Sequence, residues 1–251
     1  MSKTKTKQEF IEQANIVHNG KYDYSKAEYV NDYVKVCIIC PTHGEFWQRP
    51  YEHLRGQKCR KCTFENQKKL VFGKGLNDMY NASKHKSYSF WIQMLRRCYN
   101  EQKLLKEPTY RGCSVCDEWL TFSNFYNWFN NHYVKDWHLD KDILVKGNKE
   151  YSPDKCCFVP QGVNNLLTKR QNHRGNFPIG VHQTSDNGYR IIVSKEGKFS
   201  RIGKFRAIED AFDAYKKAKE EQIKRIADKY KEQLEPRVYK ALYEYQVEIT
   251  D

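Results

Sequence analysis

Along residues 8–18, QEFIEQANIVH, the apolar positions Phe10, Ile11, Ala14 and Val17 recur every three to four residues, which predicts a helix ended by Asn19-Gly20. The period then changes. Val34, Val36 and Ile38 alternate with Lys35 and Cys37, and a second alternating stretch covers 45–48, so two short strands are expected. Helical spacing returns over 87–100, with Trp91, Met94, Leu95 and Cys98 on one stripe, and again at Phe122, Phe125, Trp128 and Phe129. Such stripes wall a core rather than carry chemistry. Between Trp137 and Asn165 the elements are short: a strand over 138–142, a turn at Gly147-Asn148 and a helix start at Tyr151-Ser152-Pro153. Three strands are expected over 179–183, 188–194 and 199–205, with hairpin turns between them, then a long helix over about 208–230 packed on the sheet. Residues 236–251 read as a helix packing back or as a free end.

Cysteine adds the first chemistry. Nine cysteines are present, an odd number, and six lie in Cys-x-x-Cys pairs, which fits zinc in a reducing cytoplasm better than a disulfide scaffold. Cys40-Pro41-Thr42-His43-Gly44 is a tight turn that aims backbone amides at a sulfur, and Cys59-Arg60-Lys61-Cys62 supplies a second pair of ligands after a spacing that admits a hairpin. Four ligands of this softness suit tetrahedral Zn²⁺, so a zinc ribbon held by Cys40, His43, Cys59 and Cys62 is expected. An all-cysteine set using Cys37 is the alternative, and His53 reads as an exposed or capping residue. Cys113 and Cys116 could join Cys156 and Cys157, or Cys98, in a second zinc site; otherwise they are buried thiols.

Charge narrows the partner. A net charge of +13 and a pI near 9.2 favour a polyanion. Mean hydropathy is low at −0.90, yet the aromatic content of 14% argues against wholesale disorder. No run of about 18 apolar residues suggests a membrane span, and the polar, lysine-rich start suggests no export signal. Residues 68–97 hold seven lysines or arginines against Asp78 alone, which reads as an extended linker able to follow a phosphate backbone. Residues 174–206 hold seven against Asp186 and Glu196.

Three resemblances follow from these motifs. KYDYS, a strand, Cys-Pro-x-His-Gly, His53-Leu54 and Cys-x-x-Cys together resemble a zinc-binding module at the N-terminus of phage endonuclease-like proteins, which implies a DNA-contacting or positioning role. RRCYN, GCSVCDEWLTFSNF, LDKDILVKGNKEYSPDKCCFVP and Asn164 resemble a phage branch of the HNH endonuclease superfamily over about residues 88–170. That resemblance implies a strand hairpin and helix gripping one Mg²⁺ or Mn²⁺. Gly180-Val181, Tyr189, Ile202-Gly203-Lys204-Phe205 and Glu209-Asp210-Ala211-Phe212 resemble the three-stranded DNA-binding domain of ethylene-response factors. It implies a sheet face presented to the major groove, carrying His182, Thr184, Arg190, Ser194, Arg201 and Lys204.

The HNH-like stretch departs from its superfamily at the base: Lys141, not histidine, follows Asp140. Strand parity places His138, Asp140 and Asp142 on one face and Lys141 on the other. The expected roles are therefore metal ligation by Asp140 and Asp142, base catalysis by His138, charge stabilisation by Lys141 and orientation by Asn148. The expected architecture is a multi-domain α+β protein: zinc ribbon 1–66, basic linker 67–86, HNH-like ββα core 87–172, three-stranded antiparallel sheet on a helix 173–235, and tail 236–251. The expected partner is double-stranded DNA in the cytoplasm of a host cell. The expected activity is metal-dependent DNA hydrolysis, the alternative being DNA binding without catalysis.

Overall fold

A computed structural model describes residues 5–66, 70–167, 177–195 and 198–249; for 194, 195, 198 and 199 it describes the backbone alone. The chain forms two compact units, Met1–Lys84 and His85–Asp251.

The first unit opens with α1 (Lys7–His18). The Thr6 hydroxyl accepts from the Glu9 N–H and the Glu9 carboxylate accepts from the Thr6 N–H, a capping box, and Asn19 closes the helix in the left-handed region at φ 52°. Strands β1 (Val36–Cys40) and β2 (Gly44–Gln48) form an antiparallel hairpin from Val36↔Gln48 to Cys40↔Gly44. Helices α2 (Pro50–Leu54) and α3 (Arg60–Asn66) follow. The core of this unit gathers Phe10, Ala14, Tyr22, Tyr24, Val36 and Ile38.

Two expectations change here. The interval between the ligand pairs, expected to hold a hairpin, holds β2 and α2 instead, and Cys59-Cys62 lies at the start of α3. The stretch expected as an extended linker instead contains a hairpin, β3 (Leu70–Val71) with β4 (Gly75–Leu76), and a 3-10 turn at Ala82–Lys84, all inside the first unit. Phe72 and Gly73 both have positive φ, 49° and 71°, the geometry of a tight hairpin turn.

The second unit begins with α4 (Lys86–Tyr99), α5 (Glu101–Lys106), a 3-10 turn (Pro108–Tyr110), β5 (Ser114–Val115), α6 (Asp117–Leu120) and α7 (Phe122–His132). The predicted stripes on α4 and α7 face inward, and Trp91, Trp119, Phe122 and Phe125 are fully buried. The Trp91 indole N–H donates to the Trp119 carbonyl at 2.7 Å. Next come β6 (His138–Asp140), β7 (Glu150–Tyr151), β8 (Cys157–Val159) and α8 (Gln161–Leu167). β6 pairs antiparallel with β8, and β7 pairs parallel with β5. The helix expected at Tyr151-Ser152-Pro153 is a single turn. The Ser152 carbonyl accepts from the N–H groups of Lys155 and Cys156, then the chain returns to strand, and the helix starts after Pro160.

Strands β9 (Val181–Gln183), β10 (Tyr189–Lys195) and β11 (Lys198–Phe205) form an antiparallel sheet with β10 in the middle. Helix α9 (Ile208–Lys229) packs on it and α10 (Pro236–Tyr243) packs on α9, so the tail is a docked helix. Arg237 ties α10 to the turn before β8 by donating to the carbonyls of Asp154 at 3.1 Å, Cys156 at 3.2 Å and Pro153 at 3.3 Å.

No core boundary falls at 172–173. Cys157 and Val159 join Val181, Ile191, Val193, Ala211 and Phe212 in one apolar cluster. Phe158, between them, points the other way, with its ring centroid 5.4–5.8 Å from those of Phe90, Trp128, Phe129 and Tyr133. β8 is a shared wall between the aromatic core and the sheet core.

Candidate functional site

The hairpin turn between β1 and β2 and the start of α3 bring Cys40, His43, Cys59 and Cys62 together, with one donor atom from each, all within 4.8 Å of one another. The Cys40 and Cys62 sulfurs are 3.6 Å apart, and His43 Nδ1 lies 3.6 Å from Cys40, 3.8 Å from Cys59 and 3.3 Å from Cys62. A tetrahedron around Zn²⁺ with ordinary bond lengths has S···S edges of about 3.8 Å and S···N edges of about 3.6 Å, so this group could hold a zinc ion. Burial alone would push the Cys40 thiol up, but the N–H groups of Thr42 and His43, with His43 and Cys62, bring it down to about 7. Burial and the neighbouring Cys40 push Cys62 up. A divalent cation removes that conflict by ionising both.

Two outer residues complete the site, and sequence reading missed both. Glu65 Oε1 lies 3.0 Å from His43 Nε2, which fixes the tautomer that turns Nδ1 toward the sulfurs. Lys21 Nζ lies 3.6 Å from Cys62 Sγ and offsets the thiolate charge. No spacing rule links Lys21 or Glu65 to the ligands. Cys37 is a buried strand residue paired with Trp47 and stands outside the ligand group.

His53, expected at the surface, is fully buried. Its Nδ1 lies 2.9 Å from Gln48 Oε1, its Nε2 lies 2.9 Å from the Tyr24 hydroxyl, and its carbonyl is bonded by His18 Nε2 at 2.9 Å. With Gln48 as acceptor, Nδ1 donates and Nε2 accepts from Tyr24, so the neutral ring is fully used. Burial and the stacked His18 ring hold its pKa down to about 4.

The second candidate zinc site is not assembled. Among the described residues the first set is the single metal-ligating group, so Cys113, Cys116 and Cys156 do not converge into a group of three. Burial pushes the Cys98 and Cys156 thiols up to about 12, and Cys157 also rises. They pack as neutral thiols.

In the HNH-like stretch, β6, β8 and α8 give the order strand, strand, helix, but the side chains differ from the expected arrangement. The strand ends at Asp140, so Asp142 does not share a strand face with it. Asp140 Oδ1 accepts from the N–H groups of Asp142 at 2.7 Å and Ile143 at 2.9 Å, so the carboxylate caps its own turn. Burial pushes its pKa up in spite of those donors. Lys141 is buried, and its ammonium donates to Asp142 Oδ1 and to the Asn148 carbonyl, both at 2.7 Å. Asn148 is also buried: its amide donates to the carbonyls of Lys141 at 2.8 Å and Glu150 at 2.6 Å, and its oxygen accepts from the Glu150 N–H at 3.0 Å. Lys141 and Asn148 therefore clamp the 141–150 loop. His138 is exposed at the start of β6. Among the described residues His138, Asp140 and Asp142 form no metal-ligating group of three, and Asp140 Oδ1 is already taken up by two backbone N–H groups.

On the three-stranded sheet, Arg190 pairs with His182 and Arg201 with Ile192, on the opposite face from Val181, Ile191 and Val193. His182, Arg201 and Lys204 are exposed. Burial and the nearby Arg190 push the His182 pKa down. Arg190 Nε is buried without a hydrogen-bond partner. Thr184 and Lys204 are both tied to Asp186 in the hairpin turn, the lysine at 3.6 Å. The Ser194 side chain lies outside the described residues.

Residues 3–63 match one family model. Its description is a protein of unknown function, DUF723. A stretch of about 60 residues is similar to proteins of Acanthamoeba polyphaga mimivirus. Uncharacterized protein R97 is 41% identical over 63 residues, covering 25% of this chain and 23% of the viral one. Uncharacterized protein R47 is 40% identical over 58 residues, covering 23% and 29%. The matches span about a quarter of those relatives' length. No solved structure matches the chain. Among the described residues no helix is long and apolar enough to cross a membrane.

Proposed function

We propose that this protein binds duplex DNA. The observation that supports it is the division of the three-stranded sheet into two faces: one apolar and packed on α9, the other carrying His182, Arg190, Arg201 and Lys204. Arginines on a rigid strand scaffold match the donor pattern that guanine edges and phosphates accept. The overall charge of +13 supplies the attraction. The test is fluorescence anisotropy with a labelled duplex at low and moderate salt. The double variant Arg190→Ala, Arg201→Ala should bind about tenfold or more weakly, since each good arginine contact contributes about 1–3 kcal/mol. Failure of the wild type to bind duplex at low salt would reject the proposal, and stronger binding to double-stranded RNA would redirect it.

A second reading, metal-dependent phosphodiester hydrolysis, is favoured by one observation, the β6–β8–α8 order that the HNH resemblance implies. Against it stand the inward uses of Asp140, Lys141 and Asn148 described above. Plasmid relaxation with Mg²⁺ and with Mn²⁺ separates the two. The binding reading expects supercoiled plasmid to remain intact. Nicking that Asp142→Ala abolishes, with duplex affinity retained, would make the protein a nuclease.

A further inference from the structure

The outer face of β2 carries an exposed aromatic residue that the fold does not use. Glu45 and Trp47 alternate outward while Phe46 and Gln48 turn in, and Trp47 is 64% exposed. A lone exposed leucine would need no explanation, but a tryptophan leaves a large apolar ring in water. Trp47 lines a groove of about 370 Å³, within the range that holds a small organic group.

The rim of that groove is cationic. Lys35, Arg49, Lys58, Arg60 and Lys61 line it. All five are exposed, and none makes an ion pair with a carboxylate among the described residues. Among the described residues two carboxylates line the same groove, Glu45 and Glu52, and Glu45 is already paired with Lys26. Lys58 and Arg60 also line an adjoining groove, so the positive strip continues past the tryptophan. The fold holds this face firmly: Trp47 pairs across the hairpin with Cys37, and Arg60 begins the helix that carries the zinc ligand Cys62.

We propose that this face binds a single-stranded nucleic acid segment, with an unpaired base stacked on Trp47 and the flanking phosphates on Lys58, Arg60 and Lys61. A flat aromatic ring between unpaired cations is the arrangement that takes a strand without regard to sequence, because every base has a stacking face and every nucleotide a phosphate. A duplex does not fit it, since paired bases offer no free face. The proposal rests on the nucleic-acid reading above, but it assigns a different substrate to a different unit. Within this reading the protein meets DNA that is partly unpaired.

The test uses the full chain and two labelled probes at the same salt: a 15-nucleotide oligothymidine and a 30-base-pair duplex. The expected result is that Trp47→Ala weakens oligothymidine binding about tenfold, Trp47→Phe restores most of it, and neither changes duplex affinity by more than twofold. One stacked base contributes about 1–3 kcal/mol, and about 1.4 kcal/mol is tenfold. The double variant Lys58→Glu, Arg60→Glu should abolish oligothymidine binding with zinc content unchanged, which shows that the unit is still folded. Duplex binding by a wild type that ignores oligothymidine would overturn this proposal and leave the duplex reading standing. Equal oligothymidine affinity in wild type and Trp47→Ala would overturn it too, as would competition by polyglutamate as effective as by unlabelled oligothymidine, the mark of a site for an acidic protein.

Discussion

Replacing Asn148 by alanine separates a structural clamp from a catalytic orienting group. The amide closes the 141–150 loop through three hydrogen bonds, and its loss leaves the Lys141 and Glu150 carbonyls and the Glu150 N–H without their partner. Each bond contributes about 0.5–1.5 kcal/mol net, and buried groups left unpaired cost more, so a loss of about 2–4 kcal/mol is expected. With a urea dependence of about 2 kcal/mol per molar, the unfolding midpoint should fall by about 1–2 M. Tryptophan fluorescence reads the right transition, because Trp91, Trp119, Trp128 and Trp137 all lie in the second unit. Asn148→Asp should be no milder, since a carboxylate would face two carbonyl oxygens. A midpoint unchanged within 0.2 M (about 0.4 kcal/mol at that slope) would refute the clamp. An unchanged midpoint together with loss of nicking would return Asn148 to the orienting role.

Other measurements follow from the same geometry. Metal analysis should find one zinc per chain, chelation should unfold the first unit, and Cys62→Ser should do the same; two zinc ions would show that Cys113 and Cys116 belong to a site after all. His53 has a folded pKa of about 4, below the roughly 6.5 of an unfolded histidine. Its contribution is therefore complete above about pH 6.5 and is lost as pH falls toward 4, about 3 kcal/mol in all. Wild-type stability should fall across that window more steeply than that of His53→Phe, and parallel curves would contradict the burial. Gly180 has φ +74°, and a Cβ there would lie 2.1 Å from the Tyr215 ring. Gly180→Ala should cost about 2–4 kcal/mol and loosen α9 from the sheet, read as a lowered thermal midpoint.

The parts that were legible in sequence are those where one local rule suffices. The stripes on α4 and α7 are helical because Trp91, Met94, Leu95 and Phe122, Phe125, Trp128, Phe129 repeat at the helix period. Cys40-Pro41-Thr42-His43-Gly44 was legible because few turns aim amides at a sulfur and return a second ligand. Ser152-Pro153 misled because it carries the signature of a helix start, and the turn it makes is real. Cys157 to Val159 then pair with β6, and burial of all three residues outweighs the local preference. The structural use of Lys141 and Asn148 was hidden because they bond to each other's backbone across a loop, seven residues apart, which no periodicity reports. The join between the sheet and the aromatic core was illegible for a related reason. A strand buried on both faces has no polar alternation to mark which core each residue serves.

That doubly buried strand limits where the chain can be divided into parts that keep a whole core. A protein assembled from interchangeable cassettes would tolerate a break between α8 and β9, yet here such a break would separate β8 from the sheet core that Cys157 and Val159 help to build. The sheet would be left without Cys157, Val159 and Val163 against its helix, and the aromatic bundle would keep an uncovered strand. A cut near Lys84, where the two compact units meet in sequence, would spare that strand and both cores it serves.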